Sequence, residues 1–409
     1  MKVVQLNVVY KVGSTGKIID DISNTLIKNG HESFILYGVG TKSISKDKIK
    51  IAYKYELTFY RIISSLFGLQ FNTSYFSTVR VINNIKKIEP DIVHLHVING
   101  YIVNIYRLLK YLKKINVKTI ITLHAEYMFT GSCGHAFDCD KWKKGCGKCP
   151  IRWEATHSYV FDRTRKAWKM MYDSLRNMNN VTFTSVSPWL YNRAIIAPIT
   201  ANKQHFVVLN GVNTDNFTYR KGNELISFHK LLGKKILLHV TANFSNDLND
   251  LKGGHYIYEI AKRVQSYNMV IIVIGNNSNK DFLENMISIG KVYDSELLAK
   301  YYSIADITLI TSKRETFSMP TIESLSCGTP VIGFKAGGPE SIALKEYSEF
   351  VEYGNVDMLI KKILFWTNDD NKIDKNTISQ KAHLAYSSEV MTKNYIKIYQ
   401  NDEEPLNDK

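Results

Sequence analysis

At 409 residues the chain exceeds one ordinary core, since about 150 residues per domain implies two or three, and its 44% hydrophobic and 22% charged content excludes disordered or collagen-like classes. No stretch approaches the ~20 apolar residues that cross a bilayer, and the apolar start carries polar Gln5 and Asn7, so we expect neither a secreted nor a membrane-spanning protein. Lys and Arg outnumber Asp and Glu by 53 to 38, which favours anionic partners, but only 11 of the 53 are arginine, the fork that reads bases, so no nucleic acid partner is expected.

In chain order, residues 3–9 form a valine-rich run followed by Gly13-Ser14-Thr15-Gly16 and a helical pattern of Ile18, Ile19, Ile22, Leu26 and Ile27. Gly30 closes that helix and residues 33–37 read as the next strand, giving a βαβ unit whose glycine loop lies where ligands sit. Residues 56–71 place Leu57, Phe59, Tyr60, Ile62, Ile63, Leu66 and Phe67 at helical spacing, with Arg61, Ser64 and Ser65 between them. Burial of this helix against the sheet is the default reading. Contact with an anionic membrane leaflet is the alternative, aided by the surplus lysine. Short apolar runs at residues 92–95, 119–123, 181–186 and 206–209 complete a doubly wound α/β half, with His94 and His96 read as structural and His124 ending a strand.

Cys133, Cys139, Cys146 and Cys149 crowd into 17 residues, apart from Cys327. One C-x2-C pair containing Gly147 and a looser pair are compatible with a structural zinc, and equally with packed thiols or one local disulfide. A polar stretch over residues 213–230 interrupts the α/β rhythm, which restarts with strands at 236–240, 270–274, 287–289, 307–310 and 331–334. We therefore divide the chain into an N-terminal Rossmann-like domain, 1–212, a second Rossmann-like domain, 213–388, and a helix packing back across the junction with a frayed polar tail, 389–409.

The densest motif is Glu315-Thr316-Phe317-Ser318-Met319-Pro320, then Glu323, Cys327-Gly328-Thr329-Pro330 and Gly337-Gly338-Pro339-Glu340. Glu315 follows a buried strand and Pro320 suits the first turn of a helix, which would let both carboxylates face one pocket and accept hydrogen bonds from vicinal hydroxyls of sugar and ribose. This stretch resembles the donor-binding signature of retaining glycosyltransferases of the GT-B type, specifically glycosyltransferase family four.

That resemblance implies two facing doubly wound Rossmann-like domains with an interdomain cleft, 1–212 on the acceptor side and 213–388 binding the nucleotide sugar, closing around both substrates. It implies that Glu315 holds a donor hexose, Glu323 the ribose, and the amides of Thr316, Phe317 and Ser318 the sugar and diphosphate. Lys252 would oppose charge on the leaving diphosphate. At ~4 Å and an effective dielectric near 20 such a pair is on the order of 4 kcal/mol before desolvation. The family's arginine before this lysine is missing, and Asn243 occupies the region. Gly16 in the first glycine loop would compensate with amides and helix dipole, and His124 resembles the strand-ending histidine that steadies charge at the anomeric carbon.

No cofactor is required for such catalysis, and no protein nucleophile is assigned. The function so implied is retaining transfer of a hexose from a nucleotide-diphosphate sugar to a lipid-linked or oligosaccharide acceptor in surface-polysaccharide synthesis, in the cytoplasm or at the inner face of the membrane. A nucleotide-sugar epimerase or a phosphorylase of the same architecture, and a zinc-stabilised nucleic-acid module, are the rivals.

Overall fold

The computed structural model describes residues 1–40, 45–156, 158–277, 282–371 and 373–401, so the tail beyond residue 401 lies outside the described residues. Contacts divide the chain into one unit of residues 1–209 with 392–409 and another of residues 210–391.

In the first unit, β1 (Lys2–Tyr10), β2 (Glu32–Gly40), β3 (Lys48–Lys50), β4 (Ile92–Leu95), β5 (Lys118–Leu123), β6 (Val181–Ser185) and β7 (Gln204–Val207) form a sheet in the order β3-β2-β1-β4-β5-β6-β7. In the second, β8 (Lys235–Phe244), β9 (Met269–Asn277), β10 (Met286–Gly290), β11 (Ile307–Ile310), β12 (Val331–Phe334) and β13 (Ser348–Val351) run β10-β9-β8-β11-β12-β13. Every pairing is parallel. Parallel sheets are covered by helices on both faces, which is why β4 and β11 are buried at every residue and read as apolar runs interrupted only by His94 and Thr308. Register follows the same logic, with Leu6 paired to Leu36 on one side and Leu95 on the other.

Each sheet reverses its strand order once, at β1/β4 and at β8/β11. Loops leaving the carboxyl ends of such a pair diverge to opposite faces and leave a crevice between them, which is where open α/β sheets bind ligands.

Three differences from the sequence reading have physical causes. The edge strands β3 and β13 were not expected, because short half-exposed edges such as Lys48-Ile49-Lys50 carry no apolar run. β7 begins two residues before the apolar run at 206–209, because Gln204 and His205 join the ladder without leaving an apolar trace, while Val208 N–H still donates to Ser185 O of β6 at 3.0 Å.

The third is larger. The helix Lys54–Phe67, α2 in a series with α1 (Gly13–Lys28), α3 (Tyr75–Ile88) and α4 (Ile105–Ile115), is not packed through its apolar stripe. It buries Glu56, Tyr60 and Ser64 instead. Glu56 pairs with Arg80 and accepts the Tyr53 N–H at 3.2 Å, while the Tyr60 hydroxyl accepts the Phe76 N–H at 3.1 Å. Polar anchors thus turn the hydrophobic face outward, which overturns the default of burial against the sheet.

The last helix, Ser388–Gln400, begins in the second unit, where Ser388 donates to Val212 O at 2.8 Å, and ends in the first. There the Lys118 ammonium donates to Tyr399 O at 2.9 Å, a cation satisfying carbonyls at a helix C-terminus. Among the described residues no helix is long and apolar enough to cross a membrane.

Candidate functional site

The strongest constellation forms where β8 and β11 part. Lys252 sits in the loop after β8, and Glu315 in the loop after β11. The two loops are tied together by backbone: Lys313 N–H donates to Leu251 O at 2.9 Å and Thr311 Oγ1 donates to Lys252 O at 2.9 Å. Gly253, at φ 69°, starts the next helix so close to this tie that a Cβ would stand 2.1 Å from Thr311 O. Only glycine permits that approach.

The Glu315 loop is held from its other side. Glu315 N–H donates to Ala336 O at 3.0 Å, and Gly338 N–H donates to Glu315 O at 2.8 Å. A Cβ on Gly338 would fall 2.5 Å from Phe317 N. The Gly337-Gly338 pair is therefore the clamp that fixes the donor-signature loop, a role that a turn signal alone does not reveal.

Within this frame Lys252 Nζ lies 2.5 Å from Glu315 Oε1, and Ser312 Oγ donates to the same oxygen at 2.9 Å. The lysine side chain is 43% exposed and the glutamate 18%, so the pair adds little to stability. Its effect is orientation. No donor among the described residues reaches Glu315 Oε2, which stays open to a hydroxyl, and Nζ spends one of its three donors here. Beneath them His239 is buried, with Nδ1 3.2 Å from Leu309 O; burial pushes its pKa down to about 4, so it adds no charge at neutral pH.

Pro320 lies in the first turn of the helix Met319–Ser326, as the sequence predicts, with Thr316, Phe317 and Ser318 buried in the approach to it. Ser318 adopts φ 122° and its hydroxyl accepts from Thr321 Oγ1 at 2.9 Å instead of capping the helix. Glu323 accepts a hydrogen bond from the Tyr302 hydroxyl at 3.0 Å. Burial and the neighbouring carboxylate drive the Tyr302 phenol well above its usual pKa, so it stays a donor. The two glutamates thus take different partners, Lys252 and Ser312 for one and Tyr302 for the other. Asn243 stands exposed near the end of β8, accepting from Asn276 Nδ2 at 3.1 Å, and is not a partner of Lys252 or Glu315. Neither Ser312 nor Tyr302 was legible from spacing, because each meets its glutamate only through the tertiary fold.

In the first unit the Gly13–Gly16 stretch, expected as a loop, is itself helix: α1 starts at Gly13. Gly16 accepts from Lys11 N–H at 3.3 Å, and a Cβ on it would lie 3.0 Å from Lys11 N. Val12 supplies no side-chain cap, and there is no acid in the first turn. His124 follows β5 with Nε2 3.5 Å from His96 Nδ1, and the His96 ring centroid lies 3.8 Å from that of His94, tilted by 37°. His94 is saturated, its nitrogens 2.7 Å from Tyr399 Oη and 2.7 Å from Thr122 Oγ1. Burial pushes His124 down to about 4 and the other two well below their usual range, so all three rings are neutral at pH 7.

The cysteine segment is fastened by buried Glu126, which accepts the Ala136 N–H at 2.6 Å and pairs with Arg193 at 2.5 Å. All four thiols border one small pocket with Trp142. They do not converge as a ligand set: among the described residues no group of three or more His, Cys, Asp or Glu could hold a metal ion. The zinc expectation for Cys133, Cys139, Cys146 and Cys149 is corrected accordingly. They are free thiols, and burial pushes Cys133 and Cys146 up to about 12, which keeps them protonated.

Two family models match the chain, "Glycosyl transferases group 1" over residues 234–383 and "Glycosyl transferase 4-like" over residues 39–134. The putative colanic acid biosynthesis glycosyl transferase WcaC of Escherichia coli K12 is 22% identical over 98% of this chain and 100% of its own length. Among solved structures, Anabaena HepE in complex with UDP-glucose superposes with a TM-score of 0.63 at 13% identity, covering 98% of this chain and 100% of that one. WaaG, a glycosyltransferase involved in lipopolysaccharide biosynthesis, gives 0.64 at 13% identity over 97% and 99%. With the group 1 match enclosing Lys252, Glu315 and Glu323, and two Rossmann-like parallel sheets of the GT-B class, the chain is a glycosyltransferase with a group 1 match in its second unit and a 4-like match in its first.

Proposed function

We propose that this protein moves a hexose from a nucleotide-diphosphate sugar to a lipid-linked or oligosaccharide acceptor in surface-polysaccharide synthesis, with retention at the anomeric carbon, at the inner face of the membrane. The observation that carries the reading is the Lys252–Glu315–Ser312 group at the β8/β11 crevice, a cation beside a carboxylate with one open oxygen. The names of the relatives support the setting: colanic acid for WcaC, lipopolysaccharide for WaaG, and UDP-glucose as the molecule bound to HepE.

In this reading the bond from the anomeric carbon to the diphosphate oxygen breaks while the acceptor oxygen bonds to that carbon on the same face. The acceptor proton goes to the departing phosphate, so no protein nucleophile is needed. Lys252 and the amides of residues 316–318 oppose the growing charge on the diphosphate, the kind of electrostatic term that dominates such steps. Glu315 Oε2 accepts from a hexose hydroxyl and Glu323, held by Tyr302, from the ribose. In the first unit, the uncapped start of α1 at Gly13, with Gly16 in its first turns, offers amides and dipole, and His124, neutral, is the group we assign to charge developing at the anomeric carbon.

The test is turnover of UDP-, GDP- and ADP-sugars followed by the configuration of the sugar product. Donor cleavage with retention that falls in both Glu315→Gln and Glu323→Gln is the expected result. Wild-type turnover in both variants would refute the assignment, and an inverted product would refute retention.

A further inference from the structure

The outward face of α2 is unlike that of an ordinary surface helix. Tyr55, Phe59, Ile62 and Leu66 are 71%, 57%, 56% and 48% exposed. At 100° per residue they fall in one stripe along the helix. The stripe continues onto neighbouring elements rather than ending at the helix. Tyr75 and Phe76, at the start of α3, are 54% and 60% exposed and are joined to α2 through the Phe76 N–H and Tyr60 hydroxyl. At its other end Tyr159, 61% exposed, donates its N–H to Ser65 O at 3.0 Å and brings exposed Phe161 alongside. Exposed apolar side chains gathered on one helix face and the segments tied to it mark an interaction site, since scattered single residues would not need explaining.

Charge selects the occupant. The Arg107 guanidinium lies 4.4 Å from the Tyr75 ring centroid and opens a groove of about 450 Å³ in which Lys110 and Lys113 stand on successive turns of α4, against a single acid, Asp173. The apolar stripe therefore has a basic border. Pairing with a second copy of a chain of net charge +15 would set like charges against each other across the contact. A lipid surface with anionic headgroups supplies both missing halves, acyl chains for the stripe and phosphates for the groove. Tyrosines at 53, 55, 75 and 159 suit the headgroup level, where one end of a ring is apolar and the other wet.

We infer that the α2 stripe, with Tyr75, Phe76 and the segment around Tyr159, lies in the surface of an anionic bilayer while Arg107, Lys110 and Lys113 take lipid phosphates. This deepens the reading of a membrane-borne acceptor by naming the surface that docks. Because docking needs no donor sugar, it can fail while the transfer reading stands, and the reverse.

The test uses the full chain with vesicles of phosphatidylcholine alone and of equal parts phosphatidylcholine and phosphatidylglycerol, read by sedimentation. Wild-type protein should partition to the acidic vesicles at least about tenfold more strongly than to the neutral ones. The double variant Phe59→Ser, Leu66→Ser should lose about tenfold or more of that binding, and Lys110→Glu, Lys113→Glu should lose the preference for acidic lipid, with the melting temperature of both near wild type. All these side chains are exposed, so the fold does not depend on them. Equal partitioning to both vesicles, wild-type binding by the serine variant, or a concentration-dependent dimer in light scattering that the serine variant abolishes while vesicles are ignored would each overturn the inference.

Discussion

The crevices of the two sheets are built alike and furnished oppositely. At β8/β11 the loops present a cation and carboxylates that are half open to solvent, joined by hydrogen bonds that leave Glu315 Oε2 and most of the Lys252 ammonium available. Near β1/β4 the corresponding ends carry an uncapped helix start and three neighbouring histidines that burial keeps neutral. The same topology thus gives one edge suited to holding a charged donor and another suited to positioning without charge. Fold alone does not decide chemistry; the side chains at the switch points do.

The sharpest way to break this contrast is Lys252→Ala. It should lower donor turnover by about 10²- to 10³-fold, as removal of a charge-stabilising group from a transition state does, with the fold intact by circular dichroism. Glu315→Gln should cost less, about tenfold to a hundredfold, because the amide keeps a hydrogen-bonding shape but frees the lysine from its partner. Steady-state kinetics on both variants checks the order.

A smaller effect distinguishes the neutral edge. The folded pKa of His124 is about 4, and those of His94 and His96 also lie below the usual ~6.5 of an unfolded chain. Below pH 6.5 the unfolded chain binds protons that the folded unit refuses, so stability is full above that pH and declines as pH falls towards 4. Each such group costs about 1.4 kcal/mol per pH unit across the window between its two pKa values. Melting followed from pH 7 to 5 should therefore show a fall that the triple exchange of these histidines for asparagine reduces. The smallest expected effect is that of Asn243→Ala. Among the described residues its side chain hydrogen-bonds with Asn276 alone, so turnover should stay within about twofold of wild type.

Much of this was written in the chain. Strands such as 92–95, 307–310 and 331–334 stand where the apolar runs lie, because strands buried on both faces leave a continuous trace. Lys252 and Glu315 were legible by resemblance, and the fold brings them together. What stayed hidden depended on contacts distant in sequence. Tyr302 reaches Glu323 from another helix, and the Gly338 clamp exists only against Phe317. Periodicity gave α2 its stripe but not its direction, which Glu56 and Tyr60 decide through Arg80 and Phe76. Cysteine spacing suggested a ligand set, whereas the four thiols line a small pocket without forming one among the described residues.

The most direct measurement is calorimetric titration of wild-type protein and Lys252→Ala with UDP-, GDP- and ADP-sugars. The account predicts that one of these binds the wild type at a single site and binds the variant at least about tenfold more weakly, the loss of one charge-assisted contact. Equal affinity in the two proteins, or no binding of any of the three by the wild type, would contradict it.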